Sequence, residues 1–170
     1  MTSGTEDPGI ASLLFAATLV ATLAGIFITM YYLFADPGFA YRIAAAILVG
    51  VVGIISFLRH SVFYRSDQAR MGWMQDHPEF QLEVGYANLA IGIVALLAAG
   101  LNWGALACGM TLLIYGIYLL CALLLHVYEA LYVKDIRARA TKSVINTGIF
   151  VIVLLVFAWL ALSAAHAVYI

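Results

Sequence analysis

Apolar residues occur in five long runs that short polar stretches separate. The runs cover about 10–34, 42–60, 80–101, 104–133 and 141–166. A helix needs about 20 predominantly apolar residues to cross the hydrocarbon core of a bilayer, and each run is close to that length or longer. Asp36-Pro37-Gly38 and residues 100–104 read as tight turns between neighbouring runs. The pattern predicts an all-α integral membrane protein in which residues 1–170 form a single domain, a bundle of five transmembrane helices.

One longer polar stretch, residues 61–79, separates the second run from the third. It carries Phe63, Met71, Trp73 and Met74 among charged residues. Mixed apolar and charged side chains of this kind are typical of segments that lie along the membrane surface. We therefore predict an interfacial loop at 61–79.

Composition supports the membrane assignment and narrows the function. The chain is 65% hydrophobic and 10% charged, whereas soluble domains are about 45–50% apolar and about 25% charged. No basic patch indicates a nucleic-acid partner, and the lipid bilayer is the expected environment. A Gly-x-Ser-x-Gly nucleophile motif is absent from the sequence. The residues leave open whether the protein is an enzyme.

Basic residues predict the orientation of the bundle. Seven of the eight lysines and arginines fall on one side of the predicted spans and only Arg42 falls on the other; the seven are Arg59, Arg65, Arg70, Lys134, Arg137, Arg139 and Lys142. Loops that are rich in lysine and arginine stay in the cytoplasm. We expect a multi-pass protein of the cytoplasmic (inner) membrane, with its N-terminus in the cytoplasm and its C-terminus outside.

Ionisable residues gather near the predicted cytoplasmic end of three spans: His60, Glu79, Glu83, His126 and Glu129. His126 and Glu129 are three residues apart and so share a helical face. A charged side chain at the bilayer centre costs about 2.5–3.5 kcal/mol, and such residues usually face the bundle interior. We therefore expect the histidines and carboxylates to converge in one layer.

Three uses of this layer are open. In the first, His60, Glu83, His126 and Glu129 hold a transition metal, since imidazole and carboxylate ligands suit Zn, Fe or Mn. In the second, the layer begins a proton or ion pathway in a transporter or channel. In the third, it is a structural network in a non-catalytic accessory subunit, whose partners are other membrane subunits or further copies of the chain. Supporting or pathway positions are Glu79, Tyr115, Tyr118 and Asn146.

The third span carries a further interaction surface. Gly85 and Gly92 are seven residues apart, and Asn88 lies on the same side of the helix. Small residues allow helices to approach closely in a membrane, and asparagine can hydrogen bond across the interface. We expect internal helix packing at the glycines and such a bond from Asn88.

A motif ahead of and within this span resembles a known family. It comprises Gly72-Trp73, then Pro78, and then the run FQLEVGYANL, which contains Phe80, Gln81, Glu83, Gly85, Ala87, Asn88 and Leu89. The motif is similar to that of a family of small bacterial and archaeal multispan proteins of unknown function. The resemblance covers about a fifth of the chain and implies that the third span is the distinctive element; it implies no activity.

Overall fold

The computed structural model describes residues 7–71, 78–132 and 137–167, with the side chains of residue 129 and of residues 137–143 excepted. Helices fill these ranges, and no strand occurs within them. Five of the helices are long and apolar enough to cross a membrane: Gly9–Leu33, Pro37–Val62, Glu79–Gly100, Gly104–Tyr132 and Val144–Ala167. The prediction of a helical membrane protein with five candidate spanning helices is confirmed. The orientation of its termini stays a prediction.

The first two spans differ in regularity. Helix α1 (Gly9–Leu33) is a continuous α-helix. The second span is built from α2 (Pro37–Ala44), a first π segment (Ala45–Val51), α3 (Val52–Phe57) and a second π segment (Leu58–Val62). It begins five residues earlier than predicted, because Asp36 accepts a hydrogen bond from the Phe39 N–H (3.0 Å) and caps a helix whose first residue is Pro37.

Within the stretch predicted as an interfacial loop, residues 61–79, the structure has a helix over residues 64–71; the position of this stretch at the membrane surface stays a prediction. Helix α4 (Tyr64–Met71) buries Ser66 and Asp67 against the bundle. The polarity of this stretch predicted a position at the surface. In the structure the Asp67 carboxylate is buried, and the groups that bond to it make this burial favourable. The structure does not describe residues 72–77, which include Gly72 and Trp73 of the family-like motif.

Each of the last three spans is formed by a single helix. Helix α5 (Glu79–Gly100) connects to α6 (Gly104–Tyr132) through a turn in which Asn102 and Gly104 have positive φ angles of 53° and 89°. Glycine tolerates this left-handed region without steric cost, and asparagine tolerates it better than most residues. Helix α7 (Arg137–Ala167) then packs along α6, and this is the most extensive helix pair among the described residues.

The hydrophobic core lies where the second, third, fourth and fifth spans meet. Its buried members include Leu48, Val52, Ala95, Leu112, Tyr115, Leu154 and Phe157. Lipid is as apolar as these side chains, so close packing, rather than escape from water, holds the helices together. Small residues make that packing possible, as expected for Gly92.

The second and third spans approach closely at Gly53 and Gly92. A Cβ atom added to Gly53 would lie 2.8 Å from the backbone oxygen of Asn88 and 3.1 Å from Cα of Gly92. Both neighbours are backbone atoms, so a substitution would push α5 away from α3.

We expect Gly53→Ala to destabilise the bundle. The overpacking costs about 1–3 kcal/mol, which outweighs a gain of about 1 kcal/mol in helix propensity at best. Thermal unfolding in detergent measures the effect. Gly100→Ala is the matched control, because a Cβ at Gly100 meets nothing within 4 Å. Equal melting temperatures for the two variants would contradict the assigned helix contact.

Candidate functional site

A buried carboxylate, that of Asp67, organises the polar residues at one end of the bundle. The Asp67 side chain has no solvent exposure. Its Oδ2 atom lies 2.9 Å from His60 Nδ1 and accepts a hydrogen bond from Gln81 Nε2 at 3.3 Å. Its Oδ1 atom accepts hydrogen bonds from Arg70 Nε (3.1 Å) and Nη2 (2.9 Å), with Arg59 Nε at 3.5 Å. We call these five residues the Asp67 network, and the end that holds them the charged end.

Local helix geometry brings these side chains together. Arg70 follows Asp67 by three residues on α4 and so shares its face. Arg59 and His60 are consecutive, yet both reach the same carboxylate. They lie in the second π segment (Leu58–Val62), whose wider i→i+5 turn separates neighbouring side chains by a smaller angle than an α-helix does. The network therefore joins the second span, α4 and α5.

Helix α1 covers the network. The ring of Phe15 lies under the guanidinium groups of Arg59 and Arg70, with 5.6 Å and 4.9 Å from its centroid to the two Cζ atoms. Such cation–π contacts stabilise a desolvated arginine. Ser66 Oγ donates a hydrogen bond to the Asp7 carbonyl (2.7 Å) and accepts one from the Ala11 N–H (3.2 Å). It thereby satisfies backbone groups at the start of α1 and fixes α4 there.

The contacts of His60 determine its tautomer. Arg59 Nη2 lies 2.9 Å from His60 Nε2. A guanidinium has donors and no acceptor, so Nε2 is the accepting nitrogen and the proton resides on Nδ1. The Nδ1–H then donates to Asp67 Oδ2. His60 is thus neutral in this arrangement, and both of its ring nitrogens are already occupied by protein groups.

The Asp67 carboxyl is ionised in this setting. Burial alone raises its pKa, but the hydrogen bond from His60 and the positive charges of Arg59 and Arg70 outweigh burial, so the net pKa lies below the ordinary value of aspartate. An ionised carboxylate with several donors neutralises part of the charge of the two arginines. The carboxylate therefore contributes stability only while it stays deprotonated.

A second polar cluster lies deep in the bundle and connects α5 to α6. Asn88 Nδ2 donates to the Val84 carbonyl (2.7 Å) and to the Tyr118 hydroxyl (3.1 Å). The Tyr115 hydroxyl donates to Asn88 Oδ1 (3.0 Å). These bonds confirm the expectation that Asn88 bonds across a helix interface. We call Asn88, Tyr115 and Tyr118 the Asn88 cluster.

The remaining predicted site residues are members of neither cluster. Glu79 and Glu83 are exposed on α5, Asn146 is exposed on α7, and His126 is half-buried on α6; Glu79 and His126 have interaction partners of their own. The side chain of Glu129 lies outside the described residues. Helix α6 packs mainly against α7 and less against α5, α2 and the first π segment, whereas the segment that carries His60 packs mainly against α5, α3 and α4.

The metal site stays a prediction. Among the residues whose side chains are described, no group of three or more histidine, cysteine, aspartate or glutamate residues could hold a metal ion. A metal on His60 would have to displace Asp67 or Arg59 from a ring nitrogen, and two arginines would repel it. Metal analysis of protein purified without chelator tests the prediction directly.

Sequence reasoning overlooked Asp67, the centre of the network. Two signals pointed to it: Arg70 follows it at helical spacing, and the basic Arg59-His60 pair closes the preceding span. Neither signal identifies Asp67 as the centre of a network unless α4 is known to fold back on the bundle.

The comparisons with known proteins place the chain in a family without assigning a role. Residues 8–167 match the family described as "Family of unknown function (DUF6790)", and the chain belongs to that family. No curated protein and no solved structure matches it.

We expect Asp67→Asn to destabilise the folded protein by about 3–5 kcal/mol, because it leaves buried arginines without their carboxylate. Thermal or denaturant unfolding in detergent measures this loss. Asp36→Asn is the matched control, since Asp36 is an exposed cap and asparagine caps helices equally well.

The Asp67→Asn variant also tests how the stability of the protein depends on pH. Because its folded-state pKa is lowered, Asp67 stabilises the protein fully above the ordinary aspartate pKa of about 3.9, and this contribution is lost as the pH falls through the folded-state value. The stability difference between unmodified protein and Asp67→Asn should shrink as the pH is lowered below about 4. A difference that stays constant down to acid pH would contradict an ionised Asp67.

Proposed function

We propose that the protein is a non-catalytic accessory subunit or scaffold of a membrane complex, with its charged end in the cytoplasm. The observation that carries this proposal is that the polar interior is already bonded to itself. Within the described ranges, Thr29 Oγ1 and Arg59 Nε are the two buried side-chain polar atoms without a hydrogen-bond partner. Sites that bind substrates leave polar groups available, whereas saturated networks fix the positions of helices.

The proposed orientation and membrane follow from charge. Arg59, Arg65 and Arg70 belong to the charged end, and Arg137, Arg139 and Lys142 precede the apolar part of α7 at the same end of the bundle. Arg42 is at the opposite end. Such a bias supports a charged end in the cytoplasm and insertion in the cytoplasmic membrane.

The length of α6 suggests where a partner docks. Its 29 residues extend about 43 Å at 1.5 Å per residue, whereas the hydrocarbon core is about 30 Å thick. Tilt alone would have to reach about 46° to hide this excess, beyond the range of about 0–40° that spanning helices show. We assign this excess to the last two turns of α6, which would then lie in the headgroup layer or outside it.

These last turns present apolar side chains to their surroundings. Leu125, Tyr128, Leu131 and Tyr132 are all exposed. We call these four residues the hairpin end, because they precede the connection from α6 to α7. Apolar surface outside the hydrocarbon core is stabilised when a partner covers it. The seven residues of α7 that precede Val144 include three basic residues, Arg137, Arg139 and Lys142, in the sequence. The proposed partner is a protein that offers an apolar surface with acidic residues around it.

Photo-crosslinking in native membranes tests the proposal. We expect a photoreactive phenylalanine analogue at Tyr128 to give one protein adduct of defined mass. The same analogue at Ile117 is the control: Ile117 is exposed on α6 and lies eleven residues earlier, so it occupies nearly the same face about three turns deeper in the membrane. Lipid adducts at both positions, or the same protein adduct from both, would contradict docking at the hairpin end.

A second candidate is proton passage, which the burial of the Asn88 cluster favours. Tyr115 is 1% exposed, Ser56 is a further hydrogen-bonding neighbour of its hydroxyl, and Thr111 lies one turn along α6. These groups extend from the Asp67 network toward the opposite end of the bundle. Chains of such groups inside membranes are common parts of proton pathways.

Vesicles with a trapped pH-sensitive dye test this candidate. Proton passage predicts uptake in vesicles that contain the protein, and Tyr118→Phe should slow it at least about tenfold because one hydroxyl relay is lost. Tyr86→Phe is the control, since Tyr86 is exposed on α5. Uptake no faster than in protein-free vesicles would remove the candidate and leave the scaffold.

A further inference from the structure

A groove opens at the end of the bundle opposite the charged end, between the second span and α5. It has a volume of about 280 Å³. Its lining is mostly apolar and small, with one charged residue, Arg42; the other lining residues are Phe39, Ile43, Ala46, Leu96, Ala99 and Gly100. Both walls belong to helices that are long and apolar enough to span a membrane, so lipid surrounds this part of the bundle.

The packing of the two helices explains the groove. The second span and α5 approach closely at Gly53 and Gly92. Gly92 and Gly100 are eight residues apart, about 12 Å along the helix, and small residues on both helices leave space beyond the crossing. One wall includes Ala46 of the first π segment, an irregularity that occurs often at functional sites.

Arg42 is held in a fixed position at this groove. Its Nε–H donates to the Ala99 carbonyl (2.9 Å), one of the last carbonyls of α5, and its Cζ lies 6.0 Å from the centroid of Phe39. The four N–H donors on the two Nη atoms remain. In the described part of the chain no carboxylate forms an ion pair with Arg42. A guanidinium that is fixed in this way is prepared to bind a phosphate in bidentate fashion.

We propose that this groove binds one anionic glycerophospholipid, with its phosphodiester on Arg42 and one acyl chain along the apolar lining. Arg42 is six residues from Asp36, the cap of the span, so it lies within about 9 Å of the helix start. At that depth an arginine can extend its charged group to the headgroup layer. A free phosphate would leave the apolar lining unused, and a cationic headgroup would be repelled by Arg42.

The test uses the full chain in an uncharged detergent, with melting temperature and native mass spectrometry as readouts. The additives are phosphatidylglycerol, diacylglycerol with the same acyl chains, and inorganic phosphate. We expect only phosphatidylglycerol to raise the melting temperature by several degrees and to give an adduct of one lipid per chain. An equal shift with phosphate alone would indicate a free-anion site, and an equal shift with diacylglycerol would indicate nonspecific apolar binding; either overturns the proposal.

Two variants separate the headgroup contact from the acyl contact. Arg42→Gln should reduce the affinity for phosphatidylglycerol at least about tenfold, because charge-assisted hydrogen bonds are lost. Gly100→Leu should abolish the adduct by filling the groove, and it should fold normally because a Cβ there meets nothing within 4 Å. Arg65→Gln, at an exposed arginine near the charged end, is the control and should bind as the unmodified protein does. Undiminished binding in either groove variant would overturn the proposal.

Discussion

The ionised carboxylate of Asp67 is the interaction on which the charged end of this protein depends. Two arginines lie in a partly desolvated position beside it, and burying unpaired charges is costly. The carboxylate offsets that cost while it accepts bonds from the second span, α4 and α5. Since Ser66 of the same short helix also holds the start of α1, three spans take their relative positions from α4.

Deeper in the bundle, different interactions hold the helices together. Helices in lipid gain little from burying apolar side chains against one another, so close backbone contact and interhelical hydrogen bonds decide which faces meet. Gly53 and Gly92 provide the contact between the second and third spans, and the Asn88 cluster joins the third to the fourth. These interactions join the second, third and fourth spans deep in the bundle.

Because most interior polar groups are bonded within the protein, the proposed functions use its surfaces: the hairpin end and the groove beside Arg42. The two surfaces lie at opposite ends of the bundle and differ in chemistry. One presents aromatic and aliphatic side chains, and the other combines a fixed guanidinium with a small groove. The proposed docking role and the proposed lipid site therefore involve different residues and are tested by different experiments.

The sequence by itself determined the membrane class and the five spans, because about 20 consecutive apolar residues are needed to cross a bilayer and the chain contains five such runs. It also indicated the roles of Gly92 and Asn88, since small and amide side chains within a span have few other uses. It could not identify Asp67 as the centre of a network, because a carboxylate in a polar stretch is assumed to be solvated. Only the tertiary structure decided this: α4 folds back on the bundle, and residues from separate elements replace the water that the carboxylate loses.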